Sequence, residues 1–132
     1  ELTSSAAFPG AIPDLLVTTQ TLIDNRPDAV EALTETWFDI RAFMEENPER
    51  ANEIIREQVG VTQEELELFE DGITFFDIED NLEAFSEGND LSSMPYAAEE
   101  MTDFLMELDF ITERPDLDAI FDASFVENYY QN

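Results

Sequence analysis

The order of apolar and polar positions divides the chain into a short irregular opening and a long helical remainder. Asp14 to Thr19 reads Asp-Leu-Leu-Val-Thr-Thr, a brief apolar run with β-branched residues bounded by Pro13 and polar neighbours. That pattern fits a buried strand of an α/β sheet, with a helix as the rival reading. From Asn25 the period changes. Val30, Leu33, Trp37, Ile40 and Met44 recur at intervals of three and four residues, which predicts an amphipathic helix facing a core. The Trp37, Phe38 and Phe43 cluster can be read as a binding surface, but the stripe position of Trp37 places it in the core.

Punctuation between the helices is equally readable. Pro27 suits a first helical turn, with Asp28 and Glu31 near the positive end of the helix dipole. Asn47-Pro48-Glu49 stops that helix and opens another carrying Ala51, Ile54 and Ile55, and Gly60 ends it in the position that favours a left-handed residue. Thr62-Gln63-Glu64-Glu65 is a capping box before an apolar face of Leu66, Phe69 and Leu68. Ile73 to Ile78 is β-rich and reads as a short strand or extended segment, followed by a helical stretch over Asp80 to Phe85 and a loop over Ser86 to Ser93. The last long helix spans about Met94 to Leu108, with Asp109 where a left-handed cap is expected. Pro115 to Asp118 opens a short helix, and Ser124 caps a final turn carrying Phe125, Val126 and Tyr129. Residues 1 to 13, broken by Pro9, Gly10 and Pro13, read as an extended segment and loop.

Charge adds a second layer. The 132 residues carry 33 Asp and Glu against five cations, all Arg, for a formal net charge of −28. Leu, Ile, Val and Phe still make up about 28% of the chain, above the roughly 20% below which a charged chain stays disordered. The chain is therefore expected to fold. The acids are spread through every helix, whereas residues 1 to 23 hold only Glu1 and Asp14. Together with a start at Glu1, that contrast suggests a fragment whose opening is the interior of something larger. Spread-out acidity without Lys is what a protein working in brine or seawater shows. A dedicated basic partner is the competing explanation.

Missing residue types exclude several chemistries. With no Cys there is no disulfide framework or thiolate site, and with no His there is no imidazole base or Ser-His-Asp triad. With no Lys there is no Schiff-base amine. Five scattered Arg do not make a nucleic-acid or anionic-membrane surface. The best calcium candidates, Asp77 to Asn81 and Glu87 to Asp90, do not match the twelve-residue loop with its Gly at the bend. Paired carboxylates such as Glu45-Glu46, Glu64-Glu65 and Glu99-Glu100 fall on helix surfaces and read as solvated faces. The expectation is a protein without enzymatic activity, metal or cofactor. The Arg residues are expected in surface pairs, for example Arg50 with Glu46 and Glu53.

The series Phe8-Pro9-Gly10-Ala11-Ile12-Pro13-Asp14-Leu15-Leu16-Val17 resembles a passage in the later half of periplasmic solute-binding proteins of ABC importers. The group meant takes up nitrate, bicarbonate, sulfonates, taurine and thiamine precursors. The resemblance continues through Asn25 to Leu33 with Trp37, Asn47 to Ala51, Gly60 to Glu65, Ala98 to Ile111, Pro115 to Leu117 and Asp122 to Val126, in order over nearly the whole chain. Asp109 departs from it, standing where the family commonly has Gly.

The resemblance implies an α/β, mostly helical chain that is the C-terminal portion of a two-lobe type II periplasmic binding fold. Residues 1–23 would supply a crossover or hinge segment and a sheet strand, and residues 24–132 the helical C-terminal part of the first lobe. It implies capture of a small anionic solute and its delivery to a membrane permease, in the periplasm or another extracytoplasmic space, free or lipid-anchored. Any ligand contacts would come from Thr3, Ser4 and Ser5, with Pro9 and Gly10 as hinge. Two other readings stand beside it: an acidic helical interaction domain holding a basic partner, and a binding-protein-like sensor lobe of a signalling or ATPase chain. In isolation the chain is expected to expose apolar surface around Leu15 to Val17 and to dimerise or swap.

Overall fold

A computed structural model describes Ser4, Ala7, Phe8 and residues 10 to 131. The described chain is mostly helical and contains no strand. Among the described residues seven α-helices run in order: α1 Gln20–Asn25, α2 Pro27–Glu46, α3 Pro48–Val59, α4 Gln63–Glu70, α5 Ile78–Phe85, α6 Met94–Glu107 and α7 Ser124–Gln131. A 3₁₀ turn over Leu117–Ala119 lies between the last two. Among the described residues no helix is long and apolar enough to cross a membrane.

Local chemistry sets most of these boundaries. Pro27 and Pro48 open α2 and α3, where a missing N–H costs nothing because the first turn has no acceptor for it. Gly60 ends α3 at φ +77°, and its N–H donates to the Arg56 carbonyl at 2.8 Å. The capping box expected at the start of α4 is present: the Glu65 N–H donates to the Thr62 hydroxyl, and the Thr62 N–H donates to the Glu65 carboxylate at 2.9 Å. Asp77 and Asp80 form a second box at the start of α5, so that helix begins two residues earlier than its apolar pattern indicates. Asp109 takes φ +57° just past α6, and Phe110 N–H reaches back to the Leu105 carbonyl at 2.9 Å, satisfying a carbonyl the helix leaves open.

The strand expected over Asp14 to Thr19 is absent, and of the two forms expected for Ile73 to Ile78 the strand does not occur. Residues 13 to 19 form no regular element, and Leu15, Leu16 and Val17 are 54%, 66% and 79% exposed. A strand needs a neighbour to accept its backbone groups, and no described segment lies alongside. Gln20–Asn25 is instead a helix, started by the Thr19 hydroxyl, which accepts the Leu22 N–H at 3.2 Å. Helical structure thus begins before the residue 23/24 division drawn from the sequence. Residues 73 to 77 are likewise irregular.

The buried apolar residues of the core are Val30 and Phe38 of α2, Ala51 of α3, Leu66 of α4 and Ala84 of α5. α7 closes it by packing on both α2 and α5. Phe38 stacks on Tyr129 with ring centroids 4.6 Å apart and planes 21° from parallel. Trp37 is not in this core. It is 44% exposed, like Leu33 at 49% and Ile40 at 48%, because α7 covers the neighbouring face of α2, that of Val30, Thr34 and Phe38.

α5 and α6 are fastened by Ser93, which is 4% exposed. Its hydroxyl donates to the Ser86 carbonyl at 2.8 Å and accepts the Tyr96 N–H at the start of α6. A side chain at Gly88 would meet the Ser93 Cβ at 2.5 Å, so this closure requires glycine.

Candidate functional site

Of the residues proposed for ligand contact, Thr3 and Ser5 lie outside the described residues, as does the hinge residue Pro9. Ser4 is exposed and its carbonyl accepts the Ala7 N–H at 3.1 Å. Gly10 has φ +79°, and a Cβ there would lie 3.2 Å from the Ser92 Cα. Ala7, Phe8 and Gly10 therefore lie against the loop before α6. An open groove of about 560 Å³ forms there, lined by Ala7 and Phe8 on one side and by Asp90, Ser92, Tyr96 and Glu100 on the other. Asp90 accepts hydrogen bonds from the Ser92 hydroxyl at 2.5 Å and the Ser92 N–H at 2.9 Å. The hydroxyl bond is the larger cause, and together they hold the Asp90 carboxyl below the usual carboxylate range. Among the described residues two carboxylates and no cation line this groove. An anion placed there would meet repulsion from both carboxylates.

A second groove, about 640 Å³, runs between α2 and α7. Glu31, Glu35 and Asp39 stand one helical turn apart along its α2 wall, while Phe125, Tyr129 and Tyr130 supply an aromatic wall opposite. α7 places these rings because the Asp122 carboxylate accepts the Ser124 N–H at 3.0 Å and the Ser124 hydroxyl at 2.5 Å, fixing the turn before the helix. Sequence periodicity missed this site. Ser124 to Tyr129 reads as a final turn, and nothing in its spacing says that Tyr129 stacks on Phe38. A row of carboxylates facing rings suits a cation, through charge pairing and through the negative faces of the aromatics.

Four of the five arginines are committed to pairs elsewhere on the structure. Arg41 lies over the Phe75 ring, 4.8 Å from its centroid, and donates to Glu45 at 3.3 Å. Arg50 pairs with Glu53, as expected, but not with Glu46. Arg26 makes two bonds to Asp28, at 3.0 and 3.1 Å, which hold the Asp28 carboxyl below its ordinary range. Arg114 bridges Glu99 and Asp103 of α6, tying down the segment that leads to α7. Asp77, Asp80 and Asp90, all within the two stretches weighed for calcium, are engaged in caps and turns. Among the described residues no group of three or more acidic side chains is placed to hold a metal ion.

No protein-family model, curated protein or solved structure matches the chain.

Proposed function

We propose that this chain is part of the substrate-binding protein of an ABC importer and helps to capture a small solute of the nitrate, bicarbonate, sulfonate or taurine type. What carries the reading is the series of segments from Phe8 to Val126, which resembles that family's segments in the same order over nearly the whole chain. The geometry adds a helical layer with a half-exposed apolar face on α2 and, at Leu15 to Val17, an exposed apolar segment with no backbone partner among the described residues. Helices of this kind cover a sheet in an α/β lobe. On this reading Thr3, Ser4 and Ser5 donate hydrogen bonds to the solute, Pro9 and Gly10 lie at the hinge, and the partner that receives the solute is a membrane permease. Binding is non-covalent and release follows lobe opening.

Thermal-shift titration of the full-length protein with nitrate, bicarbonate, taurine and alkyl sulfonates tests this. A ligand at 100 times its Kd adds about 2.7 kcal/mol and raises Tm measurably. No shift with any compound counts against the reading.

The groove between α2 and α7 favours a second reading, an acidic module that holds a basic partner. Its test is a titration with an Arg-rich peptide at low salt, where each pairing with Glu31, Glu35 or Asp39 is strongest. Binding that weakens as salt is added supports it, and absence of binding at low salt removes it.

A further inference from the structure

Residues 12 to 18 make no backbone hydrogen bond with any described residue. The same stretch carries Ile12, Leu15, Leu16 and Val17, each more than half exposed. The surface of the whole chain is also too large. A compact monomer of 15.1 kDa exposes about 7,100 Å², whereas this chain exposes 10244 Å². The excess is greater than the roughly 800 Å² that each partner gives up in a stable complex.

Charge decides what can cover the segment in a solution of this chain alone. Each molecule carries a net charge of −28, so two copies repel over most of their surfaces. Leu15 to Ile23 contains no charged residue at all. We infer that two copies of this chain pair through residues 14 to 18 as antiparallel strands about a two-fold axis at Leu16, forming a salt-dependent dimer. In that register Leu15 faces Val17 of the second copy, an apolar cross-strand pair. Asp14 faces Thr18, and the two Asp14 carboxylates stand four positions apart, about 13 Å at 3.3 Å per residue. That exceeds the Debye length of about 10 Å at 0.1 M salt. Pro13, which has no N–H to donate, and Thr19, which caps α1, limit the ladder to five residues. The repulsion between the remaining acids makes the equilibrium salt-dependent.

The inference does not rest on the solute-binding reading, and its readouts are separate. Sedimentation of the 132-residue chain should show monomer in 50 mM NaCl and dimer in 2 M NaCl. The chain has no cysteine, so one introduced thiol reports position cleanly. In 2 M NaCl, L16C should oxidise to a disulfide-linked dimer at least tenfold faster than I12C, because residue 16 faces itself across the axis. The two copies of residue 12 would lie about 26 Å apart, beyond disulfide reach. L16D, which sets two carboxylates face to face outside any helix, should keep the helical circular dichroism and weaken the dimer at least tenfold. A chain that stays monomeric in 2 M NaCl overturns the inference. So do equal oxidation rates for L16C and I12C, or a dimer indifferent to L16D.

Discussion

Phe38 offers the sharpest test of how the fold closes. It is 7% exposed and stacks on Tyr129, so it joins the middle of α2 to the last helix of the chain. Phe38→Ala removes a ring from a site that solvent barely reaches, and the backbone of α2 cannot collapse into the space. Substitutions of this kind cost about 3–5 kcal/mol, of which an aromatic pair supplies roughly 0.5–1.5. Domains of this size are stable by about 5–15 kcal/mol, so the loss is a large share of the total. Urea denaturation followed by circular dichroism in 2 M NaCl measures it, and Tm should fall by something on the order of 10 °C. A cycle with Tyr129→Ala then isolates the pair, and the two substitutions together should cost about 1 kcal/mol less than their sum. A Phe38→Ala cost under about 1 kcal/mol, or strict additivity with Tyr129→Ala, would refute the placement of α7 on α2.

Three further outcomes follow from features of the backbone and the charge. Asp109→Gly should stabilise by about 0.5–1 kcal/mol, since Asp occupies a left-handed conformation there, while Gly60→Ala should cost about 1 kcal/mol despite open space around it; thermal melts of both variants check the pair. Tm should rise steeply between 0.1 and 1 M NaCl as the Debye length falls from about 10 to 3 Å around a chain of charge −28, and a flat salt profile would contradict that. In high salt, stability should fall in acid. The Thr62 backbone N–H, and then its hydroxyl, hold the Glu65 carboxyl below its ordinary range, and Ser92 and Arg26 do the same for Asp90 and Asp28. A depressed folded-state pKa contributes stability that is present above the unfolded value and lost as pH falls through the folded one, so the loss belongs below about pH 4. Urea melts of Glu65→Gln across pH 3 to 7 should show a shallower acid limb than the parent.

The helix boundaries of α2, α3 and α4 and the end of α6 were legible because their causes are local. Pro27, Pro48, Gly60, the Thr62–Glu65 box and Asp109 each act within a few residues, and each does in the fold what its spacing indicates. Which face of α2 is buried was not legible. Two stripes share Val30, and the one through Leu33 and Trp37 contains only apolar residues. The buried stripe passes through Thr34, whose hydroxyl donates to the Val30 carbonyl at 3.1 Å and so enters the core without an unmet hydrogen bond. Counting apolar positions passes over such a residue. The segment over Asp14 to Thr19 failed as a strand for a different reason. Composition reports a preference for the pleated conformation, but a strand forms only where another supplies its hydrogen bonds. Of the candidate site, Ser4 and Gly10 could be located from sequence only as members of an irregular opening. The groove between α2 and α7 depends on contacts spanning some ninety residues, beyond any periodic signal.

The placement of the arginines has a practical consequence. Arg26 and Arg114 are each followed by proline, whose fixed ring and missing N–H obstruct cleavage after the cation by trypsin-like proteases. The other three, Arg41, Arg50 and Arg56, lie inside α2 and α3, where the backbone is coiled and its amides are engaged. With no lysine in the chain, every productive cut by such a protease must wait for one of these two helices to open. Digestion rate thus becomes a clock for the opening of the α2–α3 pair alone. An acidic protein that offers such an enzyme so few points of attack would outlast its neighbours wherever those proteases are abundant.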